Sequence, residues 1–289
     1  MSVDGTENKT EKDKNRRAYM IVAGAFLLLL AAYEIFSEGW LERLLLASPR
    51  ALQTLSEKEI GLISESADVI LSRLFGVFAA AFTVKYLGFF TRGKCCGKGV
   101  LAALPCFAVA LCNPPILALI FGDSSLDFSG GRMAAYIAMF AAECIAVAAF
   151  EEILFRGAVF LAVLETRRNG GKQIFVSAAI SSAIFAAAHL LNLFTSAPAA
   201  VLLQAGYSFL LGGMCAYTLL CTKNIGFCVA LHAIFNFCGT LTEKFGHGSW
   251  TTAPIIAFTC VLGVIVAAAV LRGLFKTGKE DCDCFFKAK

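Results

Sequence analysis

Long apolar stretches alternate with short polar segments along this chain. A helix that crosses a bilayer needs about 20 consecutive apolar residues. Eight stretches approach or exceed that length, and they occupy residues 18–36, 69–90, 99–121, 133–164, 172–191, 197–222, 224–242 and 251–275. The fourth stretch is too long for one span, so we expect its end near Glu165 to project from the membrane. The pattern predicts an all-α polytopic membrane protein with about eight transmembrane helices.

The composition supports this prediction. Hydrophobic residues make up 58% of the 289 residues and charged residues 16%, against roughly 45–50% and about 25% in soluble domains. No hydrophilic block is large enough for a soluble domain. The net charge of +4 lies mostly in the loops and does not indicate nucleic-acid binding.

The chain holds twelve cysteines, most of them inside apolar stretches, where they behave as small hydrophobic side chains. The exceptions are Cys95, Cys96, Cys282 and Cys284, which lie next to predicted spans. C-C and C-x-C alone are weak metal signals, because no second pair of ligands accompanies them. We interpret these four as reduced thiols.

The positive charges of the loops predict the orientation in the membrane. With eight spans, the connections fall alternately into two sets. Seventeen lysines and arginines lie in one set, which comprises both termini and the loops near residues 92–98, 167–172 and 223. Six, Arg73 among them, lie in the other set, near residues 37–68, 123–132 and 243–250. Both termini are therefore expected in the cytoplasm.

Three charged residues interrupt the apolar stretch 133–164, namely Glu151, Glu152 and Arg156. A charge near the bilayer centre costs at least about 2.5–3.5 kcal/mol, so it indicates a functional site. Glu152 and Arg156 are four apart and can pair within a helix. Glu151 points about 100° away from Glu152 and can face a different partner.

Two of the three histidines, His189 and His232, also fall in apolar stretches. His232 and Asn236 are four apart, so they share one face of a helix. A carboxylate beside an imidazole can activate water, and a histidine and an asparagine can donate hydrogen bonds to an oxyanion. These residue types therefore suit hydrolysis of an amide.

The same residues resemble a known family. E-E-I-L-F-R-G matches the E-E-x-x-x-R motif of the CPBP intramembrane proteases, which include the type II CAAX prenyl proteases and the bacteriocin-processing (Abi) proteins. F-A-A-A-H, from Phe185 to His189, matches the F-x-x-x-H motif of that family, and H-A-I-F-N, from His232 to Asn236, matches its H-x-x-x-N motif. The three motifs occur in order in separate spans, and the resemblance covers residues 133–240.

The resemblance implies a role for each residue. Glu151 and His189 would activate the water, and His232 and Asn236 would bind the oxyanion or position the substrate. Glu152 and Arg156 would form a supporting pair, and Phe185 would pack the site. A zinc ion could be held by Glu151, His189 and His232. The H-E-x-x-H pattern is absent, so we favour a metal-free mechanism and keep a zinc-dependent one as the alternative.

The resemblance also suggests how the chain is divided. Residues 1–17 are a charged cytoplasmic tail, 18–132 hold the N-terminal transmembrane helices, 133–242 form a CPBP-like protease core, and 243–289 hold the last helix and a cytoplasmic tail. The expected partners are a membrane-associated peptide or protein substrate and the lipid bilayer, with no nucleic acid. E-E-I-L-F-R-G looks like the bacterial members, which favours a bacterial plasma membrane.

Two other functions remain open. Charged groups and histidines inside spans also form proton relays, as in proton-coupled transporters. Paired broken helices in two halves would favour a transporter, but the N-P-P break at residues 113–115 has no match in a second half. A non-proteolytic immunity or scaffold protein could carry the same motifs.

Overall fold

The computed structural model describes residues 40–89, 91, 93, 97–127, 132–249 and 251–286. The predicted first span, 18–36, lies outside the described residues, as do the tail 1–17 and the pair Cys95 and Cys96.

The described chain is almost entirely helical, which confirms the predicted all-α polytopic membrane fold. Six of its helices are long and apolar enough to cross a membrane. Four of them are single helices: α3 (Glu57–Leu87), α9 (Pro198–Thr222), α10 (Ile225–Phe245) and α11 (Ala253–Lys276). The fifth is continuous and consists of α6 (Arg132–Glu152), a π-helical segment (Ile153–Phe160) and α7 (Leu161–Thr166). The sixth is α8 (Gly171–Ala188) with its 3₁₀ extension (His189–Phe194).

A further span is broken into two helices, α4 (Gly97–Leu111) and α5 (Pro114–Phe121), which are bent by 64°. The sequence predicted one span, 99–121. The break follows from Pro114 and Pro115, which lack backbone donors and disfavour a helical conformation in the preceding residue. Asn113 is accordingly extended, and its Nδ2 donates to the carbonyl of Phe235 at 3.1 Å. This hydrogen bond fixes the bend against α10.

Three short helices complete the described chain: α1 (Trp40–Leu46), α2 (Pro49–Thr54) and α12 (Lys279–Asp283). Two short strands, β1 (Ser124–Leu126) and β2 (Gly246–Gly248), pair antiparallel, with Ser125 opposite His247.

Helix α3 begins at Glu57, twelve residues before the predicted start of that span. Its first turn is polar but well capped: Ser56 and Glu59 form a reciprocal capping box, in which the backbone N–H of Ser56 donates to Glu59 Oε2 at 2.8 Å. Glu59 also accepts from the hydroxyl of Tyr136 at 2.7 Å and pairs with Arg132 at 3.1 Å. These contacts with α6 extend the helix beyond its apolar part.

The alternating directions of the helices give the bundle two ends. The strands β1 and β2, the start of α6 and the turn between the 3₁₀ extension and α9 lie at one end, which we call the ribbon end. The connections 166–171, 222–225 and 276–279 lie at the opposite end, which we call the basic end because it carries Arg167, Arg168, Lys172, Lys223 and Lys276. The predicted orientation would place the basic end in the cytoplasm.

The larger part of the core lies between the helices toward the basic end. Phe160, Leu161, Leu164, Leu219 and Leu231 are fully buried there. The outer faces of α3 and α11 carry exposed apolar side chains, such as Phe78 at 74% and Val264 at 70%. An apolar outer surface of this extent is typical of contact with lipid.

Candidate active site

The acidic pair lies where the α-helical part of the fourth predicted span ends. Helix α6 ends at Glu152 and the π-helical segment begins at Ile153. Such segments are rare and are frequently found at functional sites. Glu152 Oε2 lies 3.1 Å from Arg156 Nε, and both side chains are almost completely buried. The predicted ion pair within the helix is therefore present.

The second oxygen of Glu152 contacts His232 on α10. His232 Nδ1 donates to Glu152 Oε1 at 2.7 Å, and the imidazole is buried. Its other nitrogen, Nε2, lies 3.6 Å from Glu151 Oε2, which is longer than a hydrogen bond. His232 therefore lies between the two glutamates, tightly bound to one and loosely opposed to the other.

The aromatic ring of Phe185 packs against three of the polar residues. The guanidinium carbon of Arg156 lies 4.3 Å above the centre of the ring. The imidazoles of His189 and His232 meet the ring edge-to-face, with centroids 4.8 Å and 5.9 Å away. Cation–π contact partly offsets the burial of Arg156, whose two Nη atoms have no hydrogen-bond partner among the described residues. Phe185 therefore contacts Arg156, His189 and His232 with one ring.

His189 begins the 3₁₀ extension of α8 and is half-buried. Its Nδ1 lies 2.9 Å from the carbonyl oxygen of Phe185. An N–H at Nδ1 donates to that carbonyl, which fixes the ring and leaves Nε2 as the acceptor of the neutral imidazole. This tautomer suits a histidine that orients a water molecule.

Glu151, His189, His232 and Asn236, the four residues predicted to act on substrate, line one cavity of about 570 Å³. They come from three helices that are separate in sequence. The other lining residues reach from the acidic pair toward the ribbon end and include Glu143, Asn192, Gln204, Tyr207, Ser208 and Thr240. No residue of the basic-end connections lines it.

A second cavity of about 660 Å³ lies beside the first and extends to the β-ribbon. Tyr207, Asn236 and Thr240 line both cavities. The bend at Asn113, Pro114 and Pro115 forms part of its wall, together with apolar residues such as Leu203, Phe235 and Leu262. The broken helix therefore shapes space next to the candidate active site.

Sequence reasoning missed Arg73, which also lines the first cavity. The loop-charge count assigned it to an external loop, whereas it lies inside α3, with its guanidinium carbon 5.7 Å from the ring centre of Phe150. The signal was available, because Arg73 falls within the predicted span 69–90, where a charge is costly. Tyr207, Ser208 and Gln204 gave no comparable signal, since such residues are common on helices of every kind.

The carboxylate of Glu143 lines the same cavity and is bound by two neighbours. Lys244 Nζ lies 2.7 Å from Glu143 Oε2, and Ser66 Oγ donates to the same oxygen at 2.6 Å. Lys244 also lies 3.6 Å from Glu65. These contacts join α3, α6 and α10 beside the cavity and balance the charge of Glu143.

The described residues contain no group of three or more His, Cys, Asp or Glu side chains placed to hold a metal ion. Both ring nitrogens of His232 face the two glutamates, and Nδ1 of His189 faces a carbonyl. Glu151, His189 and His232 therefore do not form a zinc site in this arrangement.

Residues 133–238 match the family model for type II CAAX prenyl endopeptidase Rce1-like proteins. This match confirms the resemblance to the CPBP and CAAX protease family, and all the candidate site residues from Glu151 to Asn236 fall within it. The match supports a protease, hence a hydrolase, in this part of an integral membrane protein. Comparison with curated proteins and with solved structures gave no significant match. The roles of individual residues and the domain boundaries stay predictions.

Proposed function

We propose that this protein is an intramembrane endopeptidase in which Glu151 and His189 activate water to hydrolyse a peptide bond. The substrate is a peptide or protein associated with the membrane. One observation carries the proposal: Glu151, His189, His232 and Asn236 come from three separate helices, and all line one cavity in an apolar bundle. Polar groups at this depth are costly unless they have partners or a function.

Both ring nitrogens of His232 face carboxylate oxygens, which accept hydrogen bonds and do not donate them. The proposed reaction therefore uses an N–H on each of the two nitrogens. In this state His232 donates through Nδ1 to Glu152 and directs a second N–H from Nε2 toward Glu151 and the cavity.

In the proposed hydrolysis, Glu151 and His189 bind the water, and His232 and Asn236 bind the substrate carbonyl oxygen. A water molecule donates one hydrogen to Glu151 and the other to Nε2 of His189. As the water attacks the carbonyl carbon, Glu151 takes its proton. The oxyanion accepts hydrogen bonds from His232 Nε2 and Asn236 Nδ2. The tetrahedral intermediate collapses when Glu151 passes its proton to the leaving amine, and the carboxylate is regenerated.

The 3.6 Å gap between His232 Nε2 and Glu151 Oε2 suits this sequence. A tight hydrogen bond there would hold the donor away from the substrate. A loose contact lets Nε2 turn to the substrate carbonyl when it enters, as catalytic contacts commonly tighten only on binding. Glu152 and Arg156 position His232 from behind and do not touch the substrate.

The family match supports a CAAX-type substrate, and a prenylated C-terminal tail is one candidate. A bacterial peptide precursor or a membrane protein is the other, and we favour it because E-E-I-L-F-R-G looks like the bacterial members. The proposal includes a bacterial plasma membrane with both termini in the cytoplasm, on the strength of the seventeen-to-six charge bias.

The test is cleavage of membrane-associated peptides by purified protein in lipid nanodiscs, followed by mass spectrometry. Glu151→Gln keeps the shape of the side chain and removes the base, so turnover should fall by about 10²-fold or more. Glu280→Gln, the same change on the exposed helix α12, is the matched control and should leave turnover unchanged. Near-normal cleavage by Glu151→Gln would contradict the assignment. The transporter or the scaffold would then be the better hypothesis.

A further inference from the structure

The β-ribbon carries a serine, a histidine and an aspartate that the proposed hydrolysis does not use. Ser125 and Asp127 are two residues apart in an extended segment, so their side chains project from the same side of it. The pairing continues past β1, since the backbone N–H of Asp127 donates to the carbonyl of Phe245 at 2.8 Å. His247 lies opposite Ser125. The register therefore brings together three side chains that are far apart in the sequence.

The hydrogen bonds of His247 assign a role to each ring nitrogen. Nδ1 contacts Oδ1 of Asp127, and a carboxylate only accepts hydrogen bonds, so Nδ1 carries the proton. The other nitrogen, Nε2, lies 3.0 Å from Ser125 Oγ. In the neutral imidazole this nitrogen has a lone pair, so the hydroxyl of Ser125 donates to it. Ser125 thus has a base within reach, and a carboxylate orients that base, which is how a serine nucleophile is activated.

Two glycines beside His247 keep its ring against Ser125. A Cβ at Gly246 would lie 2.1 Å from the carbonyl oxygen of Ser125, and a Cβ at Gly248 would lie 2.5 Å from Ser124 Cα. Gly248 also has a φ of +126°, which residues with side chains rarely adopt. The two strands approach this closely because both neighbours of His247 are glycines.

The position of the ribbon indicates which molecules can reach Ser125. Helix α5 ends at Phe121, and Ile120 and Phe121 are exposed on the apolar surface. Ser125 follows four residues later, so it lies within about 14 Å of this lipid-facing end. Ser125 is itself exposed, as is most of the side chain of His247. Carboxylic esters of lipids lie at the same level, at the boundary between the headgroups and the acyl chains.

We propose that Ser125, His247 and Asp127 form an esterase site that cleaves carboxylic esters of lipids at the membrane surface. Ser125 Oγ attacks the ester carbonyl carbon, and Nε2 of His247 takes the hydroxyl proton. The bond from the carbonyl carbon to the alcohol oxygen breaks, and the alcohol leaves with that proton. Water, deprotonated by the same nitrogen, then releases the fatty acid and restores Ser125. None of the three residues lines the cavity beside Glu151, so this activity is independent of the proposed peptidase.

A fluorophosphonate probe tests the nucleophile directly, because its phosphorus bonds to an activated serine oxygen as fluoride leaves. Mass spectrometry of the purified full-length protein should find the phosphonyl group on Ser125. His247→Gln should lower the labelling rate by about 10²-fold or more, since it removes the general base. Asp127→Asn, a smaller change, should lower the rate as well. Ser249→Ala is the matched control, because Ser249 is an exposed serine beside the ribbon whose hydroxyl contacts Thr251 instead of a histidine; it should leave the rate unchanged.

Ester cleavage is then measured with p-nitrophenyl butyrate and with monooleoylglycerol in lipid nanodiscs. The parent protein is Glu151→Gln, which lacks the proposed base of the other site. It should hydrolyse both esters, and Ser125→Ala added to it should abolish this hydrolysis. Four outcomes would overturn the proposal: no label on Ser125, an unchanged labelling rate in His247→Gln, a labelled Ser125 in a protein that cleaves neither ester, and ester cleavage that persists in Ser125→Ala.

Discussion

Nδ1 of His232 lies 2.7 Å from Oε1 of Glu152, eighty residues earlier in the chain and on a different helix. The other oxygen of the same carboxylate lies 3.1 Å from Arg156. One buried glutamate thus links a histidine that faces the cavity to an arginine that does not. Glu152 supports the site, whereas Glu151, with 17% of its side chain exposed, faces the cavity.

This difference predicts that substitution of Glu152 and substitution of Glu151 have different effects on the stability of the protein. Glu152→Gln leaves a buried Arg156 without its counter-charge, and breaking a buried pair costs about 3–5 kcal/mol. We expect a marked fall in the melting temperature in detergent. Glu151→Gln should lower the melting temperature far less. Thermal unfolding followed by tryptophan fluorescence or by loss of soluble protein measures both.

The double variant Glu152→Leu/Arg156→Met provides the control. Replacing a whole buried pair with apolar residues of similar volume is often neutral, so this variant should recover part of the stability and remain inactive, since His232 loses its partner. A Glu152→Gln variant as stable as the wild type would show that the pair does not hold the bundle together.

A pair of neighbouring glycines tests the packing of α9 against α8. A Cβ added at Gly212 would lie 2.7 Å from Ser182 Oγ and 3.0 Å from Ser182 Cα, whereas one at Gly213 meets nothing within 4 Å. Gly212→Ala should therefore destabilise the protein by about 1–3 kcal/mol through overpacking. Gly213→Ala should be neutral or slightly stabilising, because alanine favours a helix by roughly 0.5–1 kcal/mol over glycine. Equal melting temperatures for the two variants would contradict the close approach.

The orientation in the membrane predicts which cysteines an impermeant reagent can reach. Cysteines introduced at Asp127 and His247, at the ribbon end, should react with an impermeant maleimide added to intact cells. A cysteine at Gly170, in the basic-end connection 166–171, should react only after the membrane is permeabilised. The unmodified protein gives the background from its own thiols. Labelling at position 170 alone would invert the orientation, and the cavity beside Glu151 would then extend toward the cytoplasm.

The two cysteines of the C-terminal C-x-C should be slow to react. Burial raises the pKa of the Cys282 thiol to about 12, and burial also raises the pKa of Cys284. At pH 8 only about one Cys282 thiol in 10⁴ is a thiolate, the reactive form. Its alkylation rate should rise about tenfold per pH unit up to its pKa. Cys284 is exposed, so it should react before Cys282 does. Mass spectrometry after timed alkylation distinguishes the two, and fast reaction of Cys282 at pH 8 would contradict its burial.

The fold was largely predictable because the hydrophobic pattern alone separates spans from loops. Every predicted span within the described residues is present, and the errors concern their ends and continuity. The extra turns of α3 depend on contacts between Glu59 and α6, which periodicity does not encode. The bend at Asn113 was visible as N-P-P, but its angle depends on packing against α10.

The site was predictable only in part. Spacing within one helix indicated the pair of Glu152 and Arg156. The hydrogen bond between Glu152 and His232 joins two helices, and no periodicity in the sequence reports contacts of that kind. Arg73 was missed for another reason: a count of loop charges treats every arginine near a span end as solvated, whereas the side chain faces inward.

The second cavity has a consequence for what happens after a bond is broken. Tyr207, Asn236 and Thr240 line both cavities. In the proposed reaction, the space around the scissile bond would therefore continue in two directions. Cleavage would produce two peptide products, and each product could leave through its own cavity. The two departures then have separate rates, and the slower piece, rather than the cut itself, sets the pace of turnover where release is limiting.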